Sequence, residues 1–268
     1  GHKFDFRVYM MISSTNPLIA YYHDGFLRVS LFEYNVNSTE KGVHLTNTAQ
    51  SEHVFKNETL QKMLGMNETE LRNFQMWNYT RLATYLISVG KIQHMNWLDD
   101  YLRPKLEHAM QHLIRMSSKH FAKISNRWEL FGVDFMLDED LNLWFIECNI
   151  GPVIKDSSEE KGLFLKEMFK DAFEIVTAQL RSRMKRIIRF LNVLVTEGLV
   201  RRSPTSKSEL IAVNFGNNKL QYHSLLKNKI EEEFAISPTN SWKKIIDESI
   251  EGPARYNGMF PEECLTAQ

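Results

Sequence analysis

Cysteine is almost missing from this chain. Only Cys148 and Cys264 occur in 268 residues, which excludes a disulfide framework and fits a reducing compartment. Net charge of either sign is missing too, with 33 Lys and Arg against 33 Asp and Glu. No global field therefore draws nucleic acid or a membrane, and a charged partner has to be met by a local patch. No apolar run approaches the ~18 residues of a membrane span, and no charged-then-apolar signal opens the chain. Asn-x-Ser/Thr triplets begin at Asn37, Asn57, Asn67 and Asn78, and without a secretory signal they read as chance. No internal repeat or low-complexity block is found. The opening Gly1-His2-Lys3-Phe4-Asp5 carries no initiator methionine, so the chain reads as a fragment of something longer.

What is present is an ordinary globular composition, 43% hydrophobic and 25% charged, with enough residues for a substantial core. The most informative stretch runs from Asn126 to Asn149, where two apolar runs flank a polar, charged centre and predict a hairpin. Pairing Asp138 with Leu143 around the turn sets Asp134 directly opposite Glu147. Alternation then puts Asn149 on the face of Glu147. Directly opposed Cβ atoms lie roughly 4.5–5.5 Å apart, so the two carboxylates repel unless something positive lies between them. A Mg²⁺ ion, which prefers oxygen ligands and is commonly shared with nucleotide phosphates, resolves that conflict. Simple solvation of a surface hairpin resolves it as well. Cys148, between Glu147 and Asn149, is expected on the opposite, buried face.

Upstream, Phe6 to Ile12 is a strand candidate. Leu18 to His23 and Phe26 to Ser30 pair across Asp24-Gly25, a hairpin signal, giving three adjacent antiparallel strands. On the first, Lys3, Asp5 and Arg7 share one face while Phe4, Phe6 and Val8 take the core. Arg28 adds a cation from the third. This face is either built for a charged ligand or simply solvated. Residues His44 to Thr48 form a polar loop, and helical spacing begins at Glu58, with a break at Gly65-Met66-Asn67 and an N-cap pattern in Asn67 and Glu70. Trp77 to Val89 and Trp97 to Met116 read as further amphipathic helices. His108 and His112 stand four apart without an intervening acid or a third ligand, and read as ordinary surface or packing residues.

Beyond Ile150-Gly151-Pro152-Val153-Ile154, an apolar stripe predicts one long helix. It comprises Leu165, Met168, Phe169, Ala172, Phe173, Val176, Leu180, Met184, Ile187, Ile188, Leu191 and Leu194. Between Arg181 and Arg202, seven Lys and Arg face one acid, Glu197, which makes a solvated, membrane-surface or acidic-partner helix. Leu210 to Phe215 is a possible strand, and Ser224 to Phe234 and Trp242 to Ile250 are possible helices. The expected organisation is a main domain over residues 1–195, a linker over 196–208 and a C-terminal extension over 209–268.

Taken together, these segments resemble the tubulin–tyrosine ligase family within the ATP-grasp enzymes. The resemblance rests on Lys3-Phe4-Asp5-Phe6-Arg7-Val8, Gly25-Phe26-Leu27-Arg28, His44-Leu45-Thr46-Asn47, Glu129 to Asp138 and Leu143 to Asn149, in that order, and covers roughly residues 1 to 195. It implies an α+β fold: the C-terminal part of an ATP-grasp domain, an antiparallel sheet flanked by helices, with a long basic helix and a small C-terminal appendage. It implies an ATP-dependent ligase that adds an amino acid, more in keeping with glutamate, to tubulin tails through an acyl phosphate. By the same resemblance Asp134, Glu147 and Asn149 hold Mg²⁺ between the phosphates of ATP, and Arg7 and Arg28 steady the γ-phosphate or the acyl phosphate. Lys3 and Asp5 face nucleotide and substrate, and Thr46 with Asn47 line the same site. The implied partners are the free amino acid and the acidic tails of tubulin or the microtubule, met by the basic segment Arg181 to Arg202. The implied location is the cytoplasm and cytoskeleton, including cilium, axoneme or basal body.

The sequence departs from the family pattern twice. The family's phosphate-binding lysines and adenine-contacting segment lie before these motifs, and the loop Ile150-Gly151-Pro152-Val153 is unusually apolar. The alternative reading is a non-catalytic, ligase-like module of a ciliary or cytoskeletal assembly.

Overall fold

The apolar alternation that opens the chain folds back on itself once. In the computed structural model, which describes residues 1–122, 127–152, 159–196, 200–202, 211–213 and 230–251, strand β1 (His2–Thr15) returns as β2 (Leu18–Glu33). The hairpin turn is Asn16-Pro17. Asp24-Gly25, expected to be a second turn, lies inside β2, so two long strands replace the three short ones. Arg7 pairs with Phe26 and Tyr9 with His23, so one residue of β1 faces two of β2, which is a β-bulge. Gly25 has φ +70°, and a Cβ there would lie 1.9 Å from the Arg7 carbonyl oxygen. The chain uses this glycine's positive φ to bulge the strand rather than to reverse it.

β1 also pairs antiparallel with β4 (Glu129–Leu137), and β4 with β5 (Leu143–Ile150). The other edge of β2 takes β3 (Met76–Trp77) at one end and β8 (Lys243–Asp247) at the other, completing a six-stranded sheet. β8 lies within the stretch expected to be helical, Trp242 to Ile250, of which only Glu248–Glu251 is a helix. Ile245 and Ile246 are buried there, and the free ladder of β2 decides the conformation over a short apolar run whose period is ambiguous. A separate pair, β6 (Val200–Arg202) and β7 (Ile211–Val213), includes part of the predicted strand Leu210 to Phe215.

Helices cover both faces of the sheet. Between β2 and β3 run α1 (Lys41–His44), α2 (Thr48–Phe55), α3 (Glu58–Leu64) and α4 (Glu68–Gln75). Gly65 ends α3 in the left-handed region, and Asn67 with Glu70 forms the expected capping box on α4. Next, α5 (Tyr79–Ser88) and α6 (Arg103–Ser117, entered through a π-helical turn at Leu98–Leu102) pack Leu82, Leu106, Met110 and Ile114 onto Phe6, Val8, Met10, Val133 and Phe135. The opposite face carries Tyr9, Met11, Ile19, Tyr21, Phe26 and Leu130 under Leu165, Met168, Ala172 and Ile175 of α7 (Glu159–Thr196). The apolar contact with the sheet comes from the first half of this 38-residue helix, and Gln179 adds a bond to Ser13 of β1 just past its midpoint. Beyond it Leu180, Met184, Ile187, Ile188 and Leu191 of the apolar stripe are exposed, while Leu194 is buried.

Residues 236–249 strap α7 to the sheet. Asn240 and Ser241 bond to Asp171 and Glu174, and the Trp242 indole donates to the Met168 carbonyl at 3.0 Å while its ring lies tilted against that of His23. Of the other expected features, Cys264, the linker Ser203 to Ser208, and most of the helix Ser224 to Phe234 fall outside the described residues. Among the described residues no helix is long and apolar enough to cross a membrane.

Two measurements check this packing. Trp242→Ala should lower the free energy of chemical unfolding by about 3–5 kcal/mol, because it removes a buried indole and the tie between β8 and α7. His23 is buried between Phe164 and Trp242, and its Nδ1 accepts the Gly25 N–H. Burial lowers its pKa to about 4, against a smaller upward pull from Asp24 and Asp171. The unfolded chain therefore binds the extra proton between about pH 6.5 and 4, and stability falls as pH falls through that window. From about pH 7 to 5 this one group should remove about 2 kcal/mol, a slope that His23→Gln abolishes.

Candidate active site

The charged face follows from the alternation of β1. Tyr9 and Met11 lie beneath α7, and the same face continues past the end of that cover as Arg7 and Asp5. Register places Asp5 opposite Arg28 on β2, and Arg7 opposite Asp134 on β4. Arg7 grips Asp134 with two bonds, Nε to Oδ1 at 2.5 Å and Nη2 to Oδ2 at 2.8 Å. Arg28 bridges the two acids, donating to both oxygens of Asp5 and, at 2.9 Å, to Asp134 Oδ2. The Thr46 hydroxyl donates to Asp5 Oδ1, and its loop is held by the buried Gln75 amide bonding to the Thr46 carbonyl at 3.2 Å. Five of the expected site residues are thus in one network: Asp5, Arg7, Arg28, Thr46 and Asp134.

The side chains of Asp134 and Asp5 are 2% and 4% exposed. Burial pushes the Asp134 carboxyl upward, and the bonds and charges of Arg7 and Arg28 more than reverse this, holding it below the usual aspartate value. For Arg28 burial opposes the charge while Asp5 and Asp134 restore it, and the net shift is upward.

Asp134 is directly opposite Glu147, and Gly132 opposite Asn149, as the hairpin reading required. The route differs. The turn closes one residue earlier, with Leu137 opposite Leu143, because the Asp138 carboxylate caps the Asp140 and Asn142 amides. A bulge then places Ile146 as an extra residue between Phe145 and Glu147 and restores the offset. Cys148 is exposed, not buried, because β5 is an edge strand whose outer side is uncovered among the described residues. Glu147 is exposed as well and accepts a bond from the Asn149 amide at 2.9 Å.

These groups fit a hard divalent cation by donor type, offering carboxylate and amide oxygens. An ionised carboxylate has about four acceptor positions, of which Asp134 uses three, so one remains beside the open carboxylate of Glu147. Among the described residues no group of three His, Cys, Asp or Glu converges on one point, and Asn149 would have to supply the third ligand. Two expected members stand apart. Lys3 is half-buried with no hydrogen bond or ion pair among the described residues, and Asn47 is exposed at the start of α2, its side chain making no capping bond.

Three residues that the sequence reading left without a role shape the site. A Cβ on Gly132 would fall 3.1 Å from Arg7 Cδ and 2.9 Å from Pro152 Cβ, so glycine makes the slot in which the Arg7 stem lies. Lys161 and Arg72 line a narrow cleft beside Arg28, with Phe26, Phe55 and Gln75. Lys161 was legible in principle, since it occupies the same helical stripe as Leu165, Met168 and Ala172, where a lysine is out of place.

Buried acid–arginine pairs opening onto an edge of hard oxygen donors make a site suited to a metal-bridged anion, the kind used in phosphoryl transfer. The chain belongs to the tubulin-tyrosine ligase family, whose sequence profile matches residues 1–187. It is similar to tubulin glycylase 3A of Drosophila melanogaster, 29% identical over 177 residues, which is 65% of this chain and 16% of that protein. It is also similar to the probable tubulin polyglutamylase TTLL9 of Mus musculus, 31% identical over 195 residues, covering 70% of this chain and 38% of that protein. A third relative, the inactive polyglycylase TTLL10 of Homo sapiens, is 24% identical over 162 residues, 59% of this chain and 22% of that protein. The chain spans well under half the length of these relatives.

The network and the edge should separate in mutagenesis. Arg28→Met leaves the buried Asp5 without its cation and takes one of two cations from Asp134, and should destabilise the fold by about 3–5 kcal/mol in chemical unfolding. Glu147→Gln, on the exposed edge, should stay within about 0.5 kcal/mol of wild type.

Proposed function

We propose that this chain is part of an ATP- and Mg²⁺-dependent carboxylate–amine ligase that adds an amino acid, glutamate in our reading, to tubulin tails. The observation that carries the proposal is the pair Arg7 and Arg28, fixed by buried aspartates and facing an edge that presents Glu147 and Asn149. In the proposed reaction a carboxylate attacks the γ-phosphorus of ATP and ADP leaves. The amine then attacks the acyl phosphate, forming the amide and releasing phosphate.

Mg²⁺, when bound by Asp134, Glu147 and Asn149, supplies charge neutralisation for the phosphates. Arg7 and Arg28 contribute forked, permanently charged donors to the planar anionic oxygens of the transferring group. Asp5 and Thr46 act one step removed, since both are bonded into the network that aims Arg28. Lys3 and Asn47, outside the network, are assigned to the nucleotide or substrate in this reading. Glutamate is favoured by His44-Leu45-Thr46-Asn47 and supported by the polyglutamylase among the relatives, while the glycylases make glycine the competing substrate. The basic face of α7 is the proposed contact for acidic tails, at microtubules of the cytoplasm, cilium or basal body.

A second reading, a ligase-like module without turnover, draws on the same network, in which Asp134 is already occupied by both arginines. The full-length protein, incubated with ATP, Mg²⁺ and labelled glutamate or glycine, decides between them. Label should enter tubulin with the wild type and fall at least about a hundredfold with Glu147→Gln. Equal, background incorporation by both proteins leaves the module reading.

A further inference from the structure

The far half of α7 presents apolar and basic side chains to the surface, and the chain has laid its own acidic segment against them. Glu231 accepts bonds from Arg186 Nη1 at 3.4 Å and Arg189 Nη1 at 3.2 Å. Its backbone N–H donates at 2.9 Å to the hydroxyl of Ser182, a fully buried residue of α7. Glu233 pairs with Lys185, whose ammonium also lies 5.9 Å from the centre of the Phe234 ring. Glu233 and Phe234 close one side of a groove whose other wall is Arg181, Met184, Lys185, Ile188 and Arg189.

The groove thus displays what it recognises: carboxylates two residues apart, followed by an aromatic ring, in an extended-to-3₁₀ segment. The outer contacts are shallow, although Arg186 and Ser182 beneath Glu231 are largely buried. The Arg189 side chain is 58% exposed and Glu233 47%, and ion pairs of that kind are worth about 0–1 kcal/mol each. A tethered segment holds such a site mainly through its effective concentration, roughly millimolar for a short link, and can be displaced. Met184 and Ile188, both about half exposed, continue the groove past Phe234 and leave apolar surface for a longer occupant.

We infer that this face of α7 is a docking groove for an acidic, aromatic-bearing peptide of a partner protein, held closed by Glu231 to Phe234 acting as a stand-in for that peptide. The inference names what regulates the basic face assigned above to the partner, and it rests on that part of the reading. It does not depend on ligase turnover.

The test uses a fluorescent Glu-rich peptide ending in Phe, titrated into the full-length protein and followed by anisotropy, without nucleotide. Neutralising the tethered competitor with Glu231→Gln and Glu233→Gln together should tighten peptide binding about tenfold, and Glu233→Gln alone should do so by less. Lys185→Gln with Arg189→Gln should abolish the gain, and added salt should weaken binding in every variant that retains it. Equal affinity in wild type and the double Glu→Gln protein overturns the inference, as does a Lys185→Gln, Arg189→Gln protein that binds as tightly. Because Glu147→Gln should leave the titration unchanged, failure here is distinguishable from failure of the ligase reading, which is scored by label incorporation.

Discussion

Three strands of this fold are tied through one guanidinium. Arg28 of β2 reaches across Asp5 of β1 to Asp134 of β4, and Arg7 closes the set from β1. Burying a carboxylate costs several kcal/mol in desolvation, and the mutual attraction offsets it only where geometry is good and the remaining acceptor positions are filled. Here two forks and a threonine hydroxyl fill most of them. The arrangement leaves the sheet little freedom: removing Arg28 takes the cation from Asp5 and half of the pairing from Asp134. It also holds two arginines in fixed positions, Arg28 buried and Arg7 half-buried, before any anion arrives.

The site exists because one strand face changes owner along its length. Apolar side chains of β1 meet α7, charged ones lie beyond its cover, and the opposite face stays in the core under α5 and α6. Gly25 and Gly132 both serve this transition. The first lets β2 bulge so that Arg28 falls opposite Asp5, and the second clears the path of the Arg7 side chain. Beyond the family match at residue 187, β8 and the Trp242 strap are built into the same sheet and core.

Much of this was legible in the residues. Alternation in Lys3-Phe4-Asp5-Phe6-Arg7-Val8 gave the two faces of β1, helical spacing gave the buried ridge of α6, and Asn67 with Glu70 gave a cap. The opposition of Asp134 to Glu147 was also right, although two compensating irregularities produced it: a one-residue shift at the turn and the Ile146 bulge. Local pattern cannot distinguish a glycine that reverses a chain from one that bulges it, and so Asp24-Gly25 was misread. Nor can it see which strand becomes an edge, which exposed Cys148, or which ladder is free to recruit Lys243–Asp247. The partnering of the four charges was not readable from β1 alone, because it depends on which strands flank it.

The relatives carry different chemistry in their names, glycylation, glutamylation and inactivity, so family membership leaves activity to the site. The central claim is that Asp134, Glu147 and Asn149 can share a Mg²⁺ ion with nucleotide while Arg7 and Arg28 remain in place. Its most direct test is calorimetric titration of ATP into the full-length protein with and without Mg²⁺, for wild type and Asn149→Ala. The account predicts Mg²⁺-dependent binding in the wild type, weakened at least about tenfold, or about 1.4 kcal/mol, by Asn149→Ala. ATP binding of equal strength with and without Mg²⁺, and in both proteins, would contradict it.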